Sequence, residues 1–238
     1  MTDVVLAASH GTLSPEGQAA VRRLVEAVAG ALTETVVGCH VDVEQPDVPS
    51  SLERAAGLVG ASGHAVIVSL LLSAGYHVFV DLADAADASP IPATVTPALG
   101  PDPRLVDVLV ERLRESGHRP GDQVVLAAAG SSDSRAVADC HRTATLLAGR
   151  IGSTVSAGFI SAAAPALPEA VAVARARAGG ARVLVATYLL APGYFAQLAA
   201  AAGADVTTEP LLTPASTPHQ LVGIVVDRVG AVRRPSRV

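Results

Sequence analysis

Val4-Val5-Leu6-Ala7-Ala8-Ser9-His10-Gly11-Thr12 opens as an apolar run and stops at a histidine and a glycine. A short run of this kind, closed by a turn signal and followed by helical periodicity, reads as a strand buried on both faces, as in a parallel sheet. The same design returns at Val66-Ile67-Val68-Ser69-Leu70-Leu71-Leu72-Ser73-Ala74-Gly75-Tyr76-His77. Each stretch sets one imidazole at the carboxyl end of a strand, just before a helix. In open α/β sheets ligands bind there, because the loops form a crevice into which helix amino termini point. His10 and His77 are therefore the leading candidates for a working site.

Short β-rich runs alternate with longer helical stretches along the whole chain, the pattern of parallel sheets covered by helices. Strands are predicted near 3–9, 36–42, 65–72 and 91–96, and again near 123–129, 154–160, 182–189 and 205–208. Helices are predicted near 15–31, 49–60, 77–87 and 103–116, then near 133–150, 166–178, 194–202 and 216–231.

The two sets are copies of one another. Leu6-Ala7-Ala8-Ser9-His10-Gly11-Thr12 is echoed by Leu126-Ala127-Ala128-Ala129-Gly130-Ser131, and Leu71-Leu72-Ser73-Ala74-Gly75-Tyr76-His77 by Leu189-Leu190-Ala191-Pro192-Gly193-Tyr194-Phe195. Gly11 and Gly130 lie 119 residues apart, Pro46 and Pro165 also 119, and Gly75 and Gly193 118. Ordered matches in one register indicate internal duplication. Gly117-His118-Arg119-Pro120-Gly121 is the natural linker, so the expected domains are 1–117, carrying the active site, and 121–238, with degenerate site residues.

Composition removes several function classes. Half of the 238 residues are apolar, which suffices for a large core, but aromatics make up 3% and Trp is absent. Stacking platforms for nucleic acid are thus not expected, and a net charge of −5 argues against phosphate-backbone binding. All 17 basic residues are arginine, so a Walker-type phosphate loop and lysine Schiff-base chemistry are excluded. No apolar run reaches membrane-spanning length and no signal-peptide pattern opens the chain, so a cytoplasmic protein without membrane contact is expected. Cys39 and Cys140 lack metal-ligand spacing and read as reduced, structural thiols.

A pair of histidines at neighbouring strand ends can bind a divalent metal or exchange protons near neutral pH. His40 and Asp42, two apart on a β run, are expected on one side of the second strand, with Asp42 at its carboxyl end as a hard oxygen ligand or as an orienting partner for an imidazole. His64, His118, His141 and His219 are expected at the surface. No Gly-x-Ser-x-Gly elbow and no Gly-x-Gly-x-x-Gly cofactor turn occurs. Ser9-His10-Gly11-Thr12 resembles the opening of histidine phosphatases, but Ser9 stands where their phosphate-clamping arginine would be.

Taken together, Ser9-His10-Gly11-Thr12, Val41-Asp42-Val43-Glu44-Gln45-Pro46, Leu71-Leu72-Ser73-Ala74-Gly75-Tyr76-His77 and Leu99-Gly100-Pro101-Asp102-Pro103 resemble the sirohydrochlorin chelatases, class II tetrapyrrole chelatases that insert cobalt or iron. The resemblance covers nearly the whole chain. It implies two similar chelatase-like, flavodoxin-like α/β domains, each a four-stranded parallel sheet flanked by helices, facing each other across a cleft in a monomer. It implies that His10 and His77 are catalytic, with Asp42 joining them as metal ligand, and that the second-half counterparts Ala129, Ser161 and Phe195 have lost the polar groups. The implied substrates are sirohydrochlorin and Fe²⁺ (siroheme branch) or Co²⁺ (cobalamin branch), with no organic cofactor. A non-catalytic tetrapyrrole or metal carrier and a phosphohydrolase are the alternatives.

The chemistry asks for such residues. Metal insertion removes two N–H protons from the macrocycle and delivers an ion to the nitrogen lone pairs; a group with a near-neutral pKa that also binds metal serves both tasks, and histidine does. Sirohydrochlorin carries many carboxylates. Local positive potential from helix amino termini after Gly11, Gly75, Gly130 and Gly193, with Arg135, and hydroxyl donors from Thr12, Ser131 and Ser132, are expected to bind them, together with Tyr76 and the ring face of Phe195.

Overall fold

The apolar runs assemble into two parallel sheets. In the computed structural model, which describes residues 3–60, 62–73, 75 and 80–233, the first sheet contains β1 (Asp3–Ser9), β2 (Thr35–His40), β3 (His64–Ser69) and β4 (Ala93–Val95) in the order β2-β1-β3-β4. The second contains β5 (Gln123–Ala128), β6 (Val155–Phe159), β7 (Val183–Tyr188) and β8 (Val206–Thr207) in the order β6-β5-β7-β8. All pairings are parallel. The duplication read in the sequence is thus a duplication of topology.

The intervening helices are α1 (Pro15–Ala31), α2 (Val48–Val59), α3 (Leu82–Asp87), α4 (Pro103–Glu115), α5 (Ser134–Ile151), α6 (Leu167–Arg177), α7 (Tyr194–Ala200) and α8 (His219–Arg233). Ser14, Asp47, Asp102 and Asp133 cap α1, α2, α4 and α5, each side chain accepting a backbone N–H of the first turn. Proline in the first turn of α1, α2 and α4 forgoes a donor that would have no helical partner there. Three expectations shift. Strand β2 ends at His40 rather than 42, because the chain turns through a left-handed Val43 (φ 56°). The α-helical part of α3 runs from Leu82 and follows a π-helical turn at Val80 and Asp81, while Tyr76 and His77 lie outside the described residues. His64, expected at the surface, opens β3 and is half-buried, its Nε2 2.9 Å from Thr94 Oγ1.

Alternate residues of the central strands serve different cores. Val4, Leu6 and Ala8 of β1 pack outward under α2 and α3, with Leu52, Ile67 and Leu82. Val5 and Ala7 face inward, into a core shared with Leu24 of α1, Leu109 of α4, Leu126 of β5, Leu147 of α5 and Ile224 of α8. A third cluster joins Val125, Ala127 and Val185 to α6 and Ala199 of α7. Both sheets are therefore covered on both faces, which explains their nearly unbroken apolar sequence.

The last helix of each half is exchanged. Helix α8 packs on α1 and β3 of the first half, and α4 packs on α5 and β7 of the second. Buried Arg112 of α4 donates from Nε to the Pro210 carbonyl (3.0 Å) and from Nη2 to that of Leu211 (3.0 Å). Arg228 of α8 mirrors it, donating to the carbonyls of Ala98 (3.2 Å) and Leu99 (3.3 Å). Arg104–Asp227 and Arg150–Asp107, both 2.6 Å, add ion pairs across the halves. A division at 117–121 describes the repeat in the sequence; the packing crosses it.

Cys39 and Cys140 are free and buried, and burial pushes their thiols up to about 12 and about 11. Among the described residues, no helix is long and apolar enough to cross a membrane.

Candidate active site

The turn after β1 is built to hold His10 out of the sheet. The Ser9 carbonyl accepts the Val41 N–H (2.8 Å) and the His10 carbonyl that of Asp42 (3.1 Å), so the turn is stitched to the chain leaving β2. Gly11 then takes φ +91°, where a Cβ would lie 2.5 Å from the Asp42 carbonyl oxygen; the turn admits no side chain there. The His10 side chain is left exposed. The second half repeats the backbone: Ile160 and Ser161 donate to the carbonyls of Ala128 (3.0 Å) and Ala129 (2.9 Å), and Gly130 has φ +92°. Ala129 and Ser161 are thus the structural counterparts of His10 and Asp42.

These turns converge on one cavity of about 950 Å³. Its walls are residues 9–14, 70–73, 75, 128–132 and 188–197, the chain segments leaving the carboxyl ends of β1, β3, β5 and β7, with Val21, Val43, Cys140, Ser161 and Ala162. The halves meet closely here. A Cβ on Gly17 of α1 would collide with the Pro192 carbonyl, and one on Gly193 would lie 3.0 Å from Thr12 Oγ1. On the opposite side Gly75 rests against Ser131 and Ala136. Each half thus seats its glycine loop on the helix start of the other.

Of the residues singled out in the sequence, His10, Gly11, Thr12, Gly75, Ser131 and Phe195 line this cavity. His77 and Tyr76 lie outside the described residues. Asp42 is exposed, with Oδ1 accepting its own neighbour Val43 N–H (2.8 Å), and it is Val43 that reaches the cavity wall. Arg135 is exposed and pairs with the Asp133 carboxylate (2.7 Å) at the start of α5. No group of three or more His, Cys, Asp or Glu side chains placed to hold a metal occurs among the described residues.

A polar chain that sequence reasoning did not assemble lies beside His10. Ser9 Oγ is 2.8 Å from His40 Nδ1, and His40 Nε2 is 3.5 Å from Glu44 Oε1. The Gly11 N–H donates to Ser9 Oγ (3.3 Å) and the Thr12 N–H to Glu44 Oε2 (3.3 Å). With Nε2 facing a carboxylate it carries the proton, so Nδ1 accepts from the Ser9 hydroxyl. Burial lowers the His40 pKa, with Glu44 opposing, which favours the neutral imidazole this pattern needs. Ser9 is 2% exposed and both its roles are filled, so it is not presented as a nucleophile. Period-two alternation set Asp42 on the same side of the strand as His40; with Val43 left-handed, it is Glu44 whose carboxylate faces His40.

Two duplicated parallel-sheet lobes enclosing one cavity at their strand ends, with a histidine from one lobe only among the described lining residues, define a chelatase-type α/β protein. The CbiX family model matches residues 4–116 and 123–209, and the chain belongs to that family. It is 29% identical over 199 residues to the sirohydrochlorin ferrochelatase of Priestia megaterium, across 80% of this chain and 74% of that one. The fold matches SirB from Bacillus subtilis with Fe³⁺ (TM-score 0.77, 20% identity, 97% of this chain and 95% of that one). It likewise matches the sirohydrochlorin chelatase SirB from Bacillus subtilis subspecies spizizenii in complex with cobalt (TM-score 0.75, 20% identity, 99% and 97%).

Proposed function

We propose that this protein is a sirohydrochlorin chelatase, a lyase that inserts a divalent metal, Fe²⁺ for siroheme or Co²⁺ for the cobalamin branch, into the free-base tetrapyrrole. The observation that carries the reading is the asymmetry of a duplicated site: one cavity, two equivalent turns, and an exposed histidine on one of them against Ala129 on the other. Membership of the CbiX family supports it. So does the cavity, whose volume of about 950 Å³ is at the upper end for small-molecule sites and whose walls are largely apolar.

In this reading His10 receives a pyrrole proton and holds the incoming metal in turn, and His77 is its partner in both tasks, on the strength of its place in the sequence. Asp42, exposed beside the His10 turn, supplies an auxiliary oxygen ligand. The macrocycle lies between the lobes: Phe195 offers a ring face, Ser131 and Thr12 offer hydroxyls, Gly11, Gly75 and Tyr76 complete the cradle, and Arg135 supplies positive charge at its edge. No organic cofactor takes part, and a single cytoplasmic chain is the working unit.

The test is multiple turnover of sirohydrochlorin with Fe²⁺ and with Co²⁺, followed by the absorbance of the macrocycle. Catalytic turnover supports the reading. Stoichiometric binding without turnover would make the protein a carrier, and no response to the tetrapyrrole would remove the assignment.

A further inference from the structure

The duplication supplies a natural control for the chain Ser9–His40–Glu44. At the equivalent positions the second half has Ala128, Phe159 and Ala163, and yet its turn has the same backbone, with Gly130 at φ +92° against Gly11 at +91° and the same carbonyl pairings. Phe159 is fully buried there, edge-on to His141 at 5.7 Å. The fold of the turn therefore does not require the polar chain. It is kept only in the half that carries His10, and it costs burial of polar groups that an apolar version avoids.

What the chain places under the turn is a negative charge. The Glu44 side chain is 16% exposed, with one oxygen toward His40 Nε2 and the other accepting from Thr12 N–H. A carboxylate withdrawn from water is screened less than a surface one and is felt further into an apolar cavity. The contacts run in series: the Gly11 N–H donates to Ser9 Oγ (3.3 Å), Ser9 Oγ is hydrogen-bonded to His40 Nδ1 (2.8 Å), and His40 Nε2 faces Glu44 Oε1 at ion-pair distance (3.5 Å).

We propose that Ser9, His40 and Glu44 are positioning residues for the His10 face of the cavity, holding a half-buried carboxylate beneath the turn so that its charge draws the divalent cation to His10. The proposal rests on the chelatase reading above. Glu44 acts here through its field and its hold on the turn, not as a ligand, and Ser9 and His40 keep it in place.

The decisive variant is Glu44→Gln, which keeps the shape and one acceptor oxygen, for the Thr12 N–H, but removes the charge. The expected result is an increase of about fivefold or more in the KM for Co²⁺, with the KM for sirohydrochlorin and the kcat at saturating metal near wild type. The grafted variant Ser9→Ala, His40→Phe, Glu44→Ala, which installs the residues of the second half, should melt within a few degrees of wild type and lose about tenfold or more in insertion at low metal. An unchanged metal KM in Glu44→Gln overturns the proposal, and so does a uniform loss of kcat, both KM values and melting temperature, which would assign the chain to folding. Calorimetric titration of the protein with Co²⁺ alone keeps the two readings apart. If wild type fails to turn over, the chelatase reading falls, while weaker Co²⁺ binding by Glu44→Gln still upholds the role of the charge.

Discussion

Phe195 stands, in the register of the repeat, 118 residues after His77. It is half-buried on the cavity wall, 6.3 Å between ring centroids from Tyr194, which is 69% exposed at the start of α7. A phenyl ring takes no proton and holds no metal, but its face packs well on a flat apolar plane, a contact of about 1–3 kcal/mol. Phe195→Ala is therefore expected to weaken sirohydrochlorin binding by roughly five- to a hundredfold and to spare the rate at saturation. Affinity and melting temperature measured on the same variant check it; a large loss of melting temperature at unchanged affinity would place Phe195 in the core. His10 was legible in the sequence because an apolar run, a histidine and a glycine mark a strand end directly. Glu44 was not, since strand alternation favours positions 40 and 42 together and nothing local announces that Val43 turns left-handed.

At the scale of elements, periodicity and turn signals located the helices well. They did not say which sheet each would cover. The apolar face of α4, with Leu105, Leu109 and Leu113, would suit either sheet; what commits it to the second is the fit of buried Arg112 against the carbonyls of Pro210 and Leu211, contacts 98 and 99 residues distant in sequence. Removing that guanidinium leaves two buried acceptors unsatisfied. Arg112→Ala is expected to cost about 2–4 kcal/mol, or roughly 5–15 °C in melting temperature. Arg228→Ala, at a half-buried site with longer bonds, is expected to cost less. Thermal denaturation of both variants checks the order, and a wild-type melting point for Arg112→Ala would contradict this account of the exchange.

The whole molecule is one cooperative unit with a divided history. Its central core takes residues from both sheets and from α1, α4, α5 and α8, so neither half can lose its packing without exposing the other. Calorimetry is expected to show a single unfolding transition, and two resolved transitions would contradict the shared core. The same joining sets the function: the cavity exists only where the lobes meet, and duplication let one lobe keep the histidine while the other became wall. Sirohydrochlorin insertion assayed with Co²⁺ for wild type and His10→Ala tests this most directly, alongside circular dichroism to establish that the exposed side chain was removed without loss of fold. Multiple turnover is expected of wild type and a loss of about a hundredfold or more of His10→Ala at unchanged fold; insertion at the wild-type rate by the variant would contradict the role of His10.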